Sequence, residues 1–253
     1  MKLGRNPSPE LASFKLDTFV DVERVAFAIA QLPTPPKQFG HEVGVPFIMG
    51  GNDTVGDCVL AGAVNEGILD CHATGKPAAF KDSDAIRAYS DITGYDPADP
   101  NTDRGTDMVA AAKYRQKHGI VDSAGNVHRI GAYLDVPIDV SKLEVAMYLF
   151  GAAGLGITVT DRTMKQFDQG LYWSMTGQKG SPSDGGHYIP GVARRGSHTN
   201  IVSWAKLVRM TDGFLKTFCD EILAYVPLDY LDSGGHTPEG FDVTALNSAL
   251  AKL

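Results

Sequence analysis

The sequence predicts an α+β protein, and three observations carry that prediction. Apolar residues recur at helical spacing from residue 57 to about 119. Beyond Gly125, short β-branched runs bounded by turn residues take over. With 43% hydrophobic and 21% charged residues over 253 positions, the chain is long and apolar enough to bury a sizeable core. Helices that lead and strands that follow imply an N-terminal helical lobe and a C-terminal antiparallel β lobe.

Residues 1–40 read as an extended, proline-rich arm. "RNPSPE" and "LPTPPKQFG" flank "VDVERVAFAIAQL", which suits one short helix or strand. Such an arm can wrap its own domain or dock on a neighbour. Residues 41–253 read as the folded domain: a helical lobe over about 41–125, a β lobe over about 126–235 and a tail over 236–253.

The first helix begins at Asp57, a good N-cap, and carries Leu60, Val64, Gly67, Ile68 and Cys71 as one apolar stripe. Gly75 before Lys76 and Pro77 ends it. "SDAIRAYSDITG" is a second helix with Ser83 as cap, and "MVAAAKYRQKHGI" a third, closed by Gly119. "VHRIGAYLDVPID" reads as strand and turn. "SKLEVAMYLFGAAG" is a helix in which Ser141 and Glu144 have capping-box spacing. "LGITVTD", "HYIPGVARR" and "TNIVSWAKLVRM" read as strands, and "DGFLKTFCDEILAYV" as a last helix.

A formal charge of −7 argues against a broad basic surface for nucleic acid. No apolar run reaches the roughly 18 residues of a membrane span. The first 20 residues lack the apolar core of a signal peptide, so synthesis in the cytoplasm is expected. Cys58, Cys71 and Cys219 are too few and too scattered for a disulfide framework.

Cys58 stands at the start of a helix, where free N–H groups and the macrodipole favour thiolate. The preceding "GGNDTVGD" supplies donors for an oxyanion hole. The bland alternative is a buried structural cysteine. Cys71 lies thirteen residues on, about 20 Å along the same helix, and reads as packing, as does Cys219. A nucleophilic cysteine needs a base. His187, after paired glycines and before an apolar run, fits best; His198 is the rival. His41, His72, His118, His128 and His236 read as solvated. Asp99, Asn101 and Asp103 alternate as in a calcium loop, but Arg104 and Ala110 break the pattern, so a capping loop is the better reading. "GAAGLG" follows a helix instead of a strand and is no dinucleotide turn. No zinc spacing or P-loop appears, so no cofactor and no metal are expected.

"NDTVGDCVLAGAVN", "YSDITGYDPADPNTDRGTDMVAAAKYRQKHGI", "GITVTDRTMKQFD", "GGHYIPGV" and "SWA", taken in order, resemble the papain-like cysteine peptidase superfamily, and within it a divergent group associated with bacteriophages and prophages. The resemblance covers most of residues 40–235. It implies a two-lobed fold, Cys58 as nucleophile, His187 as general base and Asn52 in the oxyanion hole. The orienting asparagine expected before "SW" is replaced by Val202, which leaves Asn200 or Ser203 to orient His187, and Ala205 replaces a glycine. Two functions follow as expectations. One is a working peptidase acting on a peptide or amide bond of a peptide or protein substrate. The other is a papain-fold structural protein of a phage virion, decorating a head or tail, with the arm docked on phage structural proteins. The missing orienter and the absence of a separate pro-segment favour the second; the retained Cys–His pair favours the first.

Overall fold

The computed structural model describes residues 1–9, 34–175, 180 and 184–243. The "VDVERVAFAIAQL" element and the end of the tail lie outside the described residues.

Six helices and nine strands form among them. β1 (Gln38–Gly40) precedes α1 (Cys58–Thr74), α2 (Asp82–Thr93) and α3 (Met108–Lys117). A two-stranded ribbon of β2 (Ile120–Val121) and β3 (Val127–His128) leads to β4 (Ile130–Asp135). Then come α4 (Val140–Phe150), β5 (Ala153–Val159), α5 (Asp161–Asp168), β6 (Gly185–Arg195), β7 (His198–Ser203), β8 (Lys206–Thr211), α6 (Asp212–Phe218) and β9 (Cys219–Pro227). The main sheet is antiparallel in the order β4-β9-β5-β6-β7-β8, and β1 pairs with β6 at Gln38↔Arg195 through Gly40↔Ala193.

Because side chains alternate along a strand, this sheet presents two apolar faces. Tyr133, Tyr188, Leu223 and Tyr225 face a core shared with α1, α2 and α3. Leu134, Leu155, Ile189, Ile222 and Ala224 face the other way, into a core with α4 and α6. The expected stripe on α1 understates its burial: residues 58–71 are all buried, Glu66 and Asp70 included. Glu66 is offset by Arg115 of α3, 2.7 Å away, and accepts a hydrogen bond from the Tyr188 hydroxyl.

Two glycines set how closely α1 approaches the sheet. A Cβ on Gly62 of α1 would stand 2.3 Å from the Tyr188 ring, and one on Gly154 of β5 would stand 2.2 Å from its hydroxyl. Tyr188 fills the gap between them, so neither position accepts a side chain without shifting the layer.

Several expectations change in detail. The last expected helix divides: α6 ends at Phe218, and Cys219–Pro227 forms β9 in the middle of the sheet. A continuous apolar run does not distinguish a buried strand from a buried helix, and here pairing with both β4 and β5 decides. Asp57 precedes α1 but makes no side-chain cap bond. Asp139, not Ser141, caps α4, accepting from the Ser141 and Lys142 N–H groups. α2 begins one residue before Ser83, with Asp84 accepting from the Lys81 N–H. Asp99 caps a 3-10 turn at residues 100–102, and Asp103 accepts from the Gly56 N–H and the Tyr89 hydroxyl.

Candidate active site

Cys58 is the first residue of α1, and His187 sits near the start of β6, against which α1 packs. Each is 1% exposed. Together with Asn52, Val202, Ser203 and Trp204 they line one cavity of about 10 Å³, the space of a single water. All three residues singled out in the sequence therefore meet at one place.

The neighbourhood of His187 is built by the β7–β8 hairpin. Ser203 pairs with Lys206, so Trp204 and Ala205 form a two-residue turn, both with positive φ (45° and 62°). Such backbone costs a non-glycine residue about 1 kcal/mol or more, and it swings the indole over the imidazole. The two rings stack with centroids 4.3 Å apart and planes 14° from parallel. Ser203 Oγ lies 3.0 Å from His187 Nε2. Of the two replacement orienters, Ser203 is in contact and Asn200 is not: its amide donates to Glu42 instead. Val202 is buried in a small cluster with Leu69, Ala152 and Val192. His187 Nδ1 is buried with no partner among the described residues. His198, the rival base, lies beside Tyr172 at the far end of β7.

Burial pushes the Cys58 thiol up to about 12, partly opposed by the nearby backbone of Tyr188 and Gly4. Burial also holds His187 down at about 3, and the Arg5 charge pushes the same way. The pair is therefore a neutral thiol beside a neutral imidazole. Asp57, fully buried and adjacent, is raised to about 8 by burial, and neither of its carboxylate oxygens has a hydrogen-bond partner among the described residues. Asn52 Nδ2 donates to Val55 O at 3.0 Å.

The chain's own N-terminus adds to this burial. Residues 1–9, read as part of a wrapping or docking arm, cross the site on their own domain. Lys2 N–H donates to Asn52 O, Gly4 and Arg5 N–H both to Gly186 O, and Asn6 N–H to Thr106 O, while Thr106 N–H donates to Gly4 O. Lys2 pairs with Asp103, Arg5 with Asp220 and Glu221, and Ser8 with Glu221. The paired glycines before His187 gain a reason: a Cβ on Gly186 would stand 2.0 Å from Arg5 O. On the other side Gly4 abuts Gly56, 1.9 Å from where its own Cβ would be. Of the two roles expected for the arm, residues 1–9 take the first and wrap their own domain. Nothing local in "MKLGRNPSPE" announces it.

A second cysteine–histidine contact lies farther along α1. Cys71 Sγ is 3.8 Å from His128 Nδ1. His128, expected in solvent, is 9% exposed and contacts Asp229 at 2.8 Å and Asp122 at 3.3 Å. Burial lowers it, but these carboxylates and Cys71 prevail and raise it to about 10.

By sequence, the chain matches no protein-family model and no curated protein. By structure it resembles cysteine proteases. Xylellain, a cysteine protease from Xylella fastidiosa, superposes with a TM-score of 0.61 at 14% identity, covering 88% of this chain and 96% of that one. Procathepsin B S9 from Trypanosoma congolense gives 0.58 at 11% identity over 89% and 86%. Digestive procathepsin L 3 of the Tenebrio molitor larval midgut gives 0.55 at 14% over 89% and 75%. The fold is that of the papain-like cysteine proteases, mixed helix and antiparallel sheet. Among the described residues no helix is long and apolar enough to cross a membrane.

Proposed function

We propose that this chain is a cysteine peptidase of papain type, held latent by its own residues 1–9, that cuts a peptide or amide bond in a peptide or protein. One observation carries the reading: His187 commits Nε2 to Ser203, lies flat under Trp204, and leaves Nδ1 unpartnered beside the cavity it shares with Cys58.

With Nε2–H donating to Ser203 Oγ, Nδ1 is the acceptor that receives the Cys58 proton. The thiolate attacks the carbonyl carbon, and the oxyanion meets the Cys58 N–H at the start of α1 and the Asn52 amide. His187 then returns its proton to the leaving amine. Departure of residues 1–9 rehydrates both groups and removes the Arg5 charge, so the thiol falls and the imidazole rises toward an ion pair.

The test is the pH dependence of Cys58 alkylation by iodoacetamide in three proteins: the full chain, the chain lacking residues 1–9, and that shortened chain with His187→Ala. The expected result is slow labelling in the first and fast labelling with a low apparent pKa in the second. The third should return to an ordinary thiol pKa. Equal rates in all three would remove the peptidase reading. The chain would then stand as the papain-fold structural protein of the other expectation, with a phage virion as its proposed setting.

A further inference from the structure

The cluster around Cys71 and His128 belongs to no step of that chemistry. Cys71 Sγ, a ring nitrogen of His128 and a carboxylate oxygen of Asp229 all lie within 4.8 Å of one another. They come from three separate elements: the last turn of α1, β3, and the 3-10 turn at Leu228–Tyr230 after β9. We propose that Cys71, His128 and Asp229 form a binding site for a borderline-soft divalent transition ion such as Zn²⁺.

Geometry and donor type agree. Tetrahedral zinc with ordinary bond lengths places nitrogen and oxygen ligands about 3.3 Å apart, and sulfur and nitrogen about 3.5 Å apart. Here His128 Nδ1 is 2.8 Å from Asp229 Oδ2 and 3.8 Å from Cys71 Sγ, each within about half an ångström of those values, and all three ligand atoms lie within 4.8 Å of one another. A thiolate, an imidazole and a carboxylate suit zinc better than calcium or magnesium, which prefer all-oxygen sets.

The support behind the ligands is that of a metal site. His128 presents Nδ1 to Cys71 and Asp229, and its other nitrogen, Nε2, faces Asp122 Oδ2 at 3.3 Å. A carboxylate on the far nitrogen fixes the tautomer and ring angle of a ligating histidine. Asp122 is itself held rigidly, accepting from the N–H groups of Ala79, Ala124 and Asn126 and from the Asn126 amide. Phe80 packs on the imidazole with centroids 4.4 Å apart. Asp229 is anchored through its carbonyl, which accepts from Thr74 Oγ1 and Lys76 Nζ.

Three protein ligands leave a fourth position open. Beside His128 and Asp229 is a cavity of about 10 Å³, room for one water. Asp70 lines it too, and its Oδ1 is buried with no partner among the described residues. Arg115 also lines it but is paired with Glu66. Binding releases the Cys71 thiol proton, and any proton on His128 Nδ1, to solvent. Bound as thiolate, Cys71 brings negative charge to the dication.

The experiment is a titration of the reduced, chelator-treated full-length protein with Co²⁺, then competition with Zn²⁺. The expected result is one equivalent bound, a near-ultraviolet thiolate-to-cobalt band that Zn²⁺ abolishes, and a Tm raised by Zn²⁺. Cys71→Ser should lose the band and Cys58→Ser should keep it. Asp122→Asn should bind about 10- to 100-fold more weakly with the band retained. Failure of the full chain to bind, or a band lost in Cys58→Ser but kept in Cys71→Ser, overturns the proposal. Asp229→Asn, which keeps the side-chain volume, separates ligand loss from unfolding, since circular dichroism stays native while affinity falls. The peptidase reading stands or falls separately, because its probe is alkylation of Cys58.

Discussion

Helix α1 carries two cysteines, Cys58 lining one cavity with His187 and Cys71 in contact with His128, and their surroundings are opposite. Cys58 and His187 meet in a pocket without a carboxylate partner on the imidazole, where burial drives the thiol up and the imidazole down. Cys71 meets a His128 pinned between Asp122 and Asp229, whose charges overcome burial and raise the ring to about 10. Burial alone keeps both members of a pair neutral. Carboxylates turn the same pairing of residues into a charged, fixed cluster. A reactive thiol needs neither extreme; under the proposed function, loss of the covering N-terminus gives Cys58 and His187 water without giving them a carboxylate.

That comparison breaks most easily at Cys58. Removing residues 1–9 is expected to speed Cys58 alkylation at pH 8 by roughly two-thousandfold or more. A thiol near 12 is ionised in about one molecule in ten thousand at that pH, and one at an ordinary 8.5 already in about one in four, to which the lower value expected of the shortened chain adds. Cys71 alkylation should not change, and peptide mapping of the labelled protein checks both. An equal gain at Cys71 would mean that the deletion loosened the whole of α1.

Next in size is the histidine contrast. His128→Ala leaves the carboxylates of Asp122 and Asp229 without their shared partner and should cost about 3–5 kcal/mol in urea unfolding. His187→Ala removes a neutral ring and should cost less, about 1–3 kcal/mol. The two also separate by pH. His187 is depressed to about 3, so its share of stability is present above about 6.5 and is lost as pH falls toward 3. The acid limb should flatten in His187→Ala.

Asp57 has the reverse sign. Its folded value near 8 exceeds the unfolded one near 3.8, so stability is greatest below about pH 4 and declines as pH rises to about 8. Asp57→Asn should therefore stabilise by a few kcal/mol at pH 8 and have little effect at pH 4, measured by urea midpoints across that range. A gain that did not grow with pH would mean that Asp57 is ionised in the folded chain. The smallest expected effect is that of Ser203→Ala, about 1 kcal/mol in stability from an unsatisfied His187 Nε2. In the shortened chain, the same change should raise the apparent pKa of Cys58 alkylation, which a purely structural serine would not do.

The placement of Cys58 at a helix start and His187 at a strand start was legible, because both depend on short-range signals: turn residues, apolar period and paired glycines. The α+β order was legible for the same reason. β9 was not, since its pairing partners lie far away in the chain and a uniformly apolar run carries no period. The covering segment was hidden for a related reason. Its hydrogen bonds reach residues 52, 106 and 186, and its ion pairs reach 103, 220 and 221. His128 looked solvated because its immediate neighbours are polar. Its burial comes from Phe80, Cys71 and Asp229, none of them local. The choice between Asn200 and Ser203 required the tight β7–β8 turn, which two non-glycine residues at positive φ do not advertise.

Gly62 and Gly154 carry no side chain, and neither is a neighbour of Cys58 in sequence. Yet the thickness they allow between α1 and the sheet fixes how far the first residue of that helix sits from the strand bearing His187. A mutational scan that read only the labelling of Cys58 would rank both glycines with His187. The two classes would part company only in a scan that also measured folding.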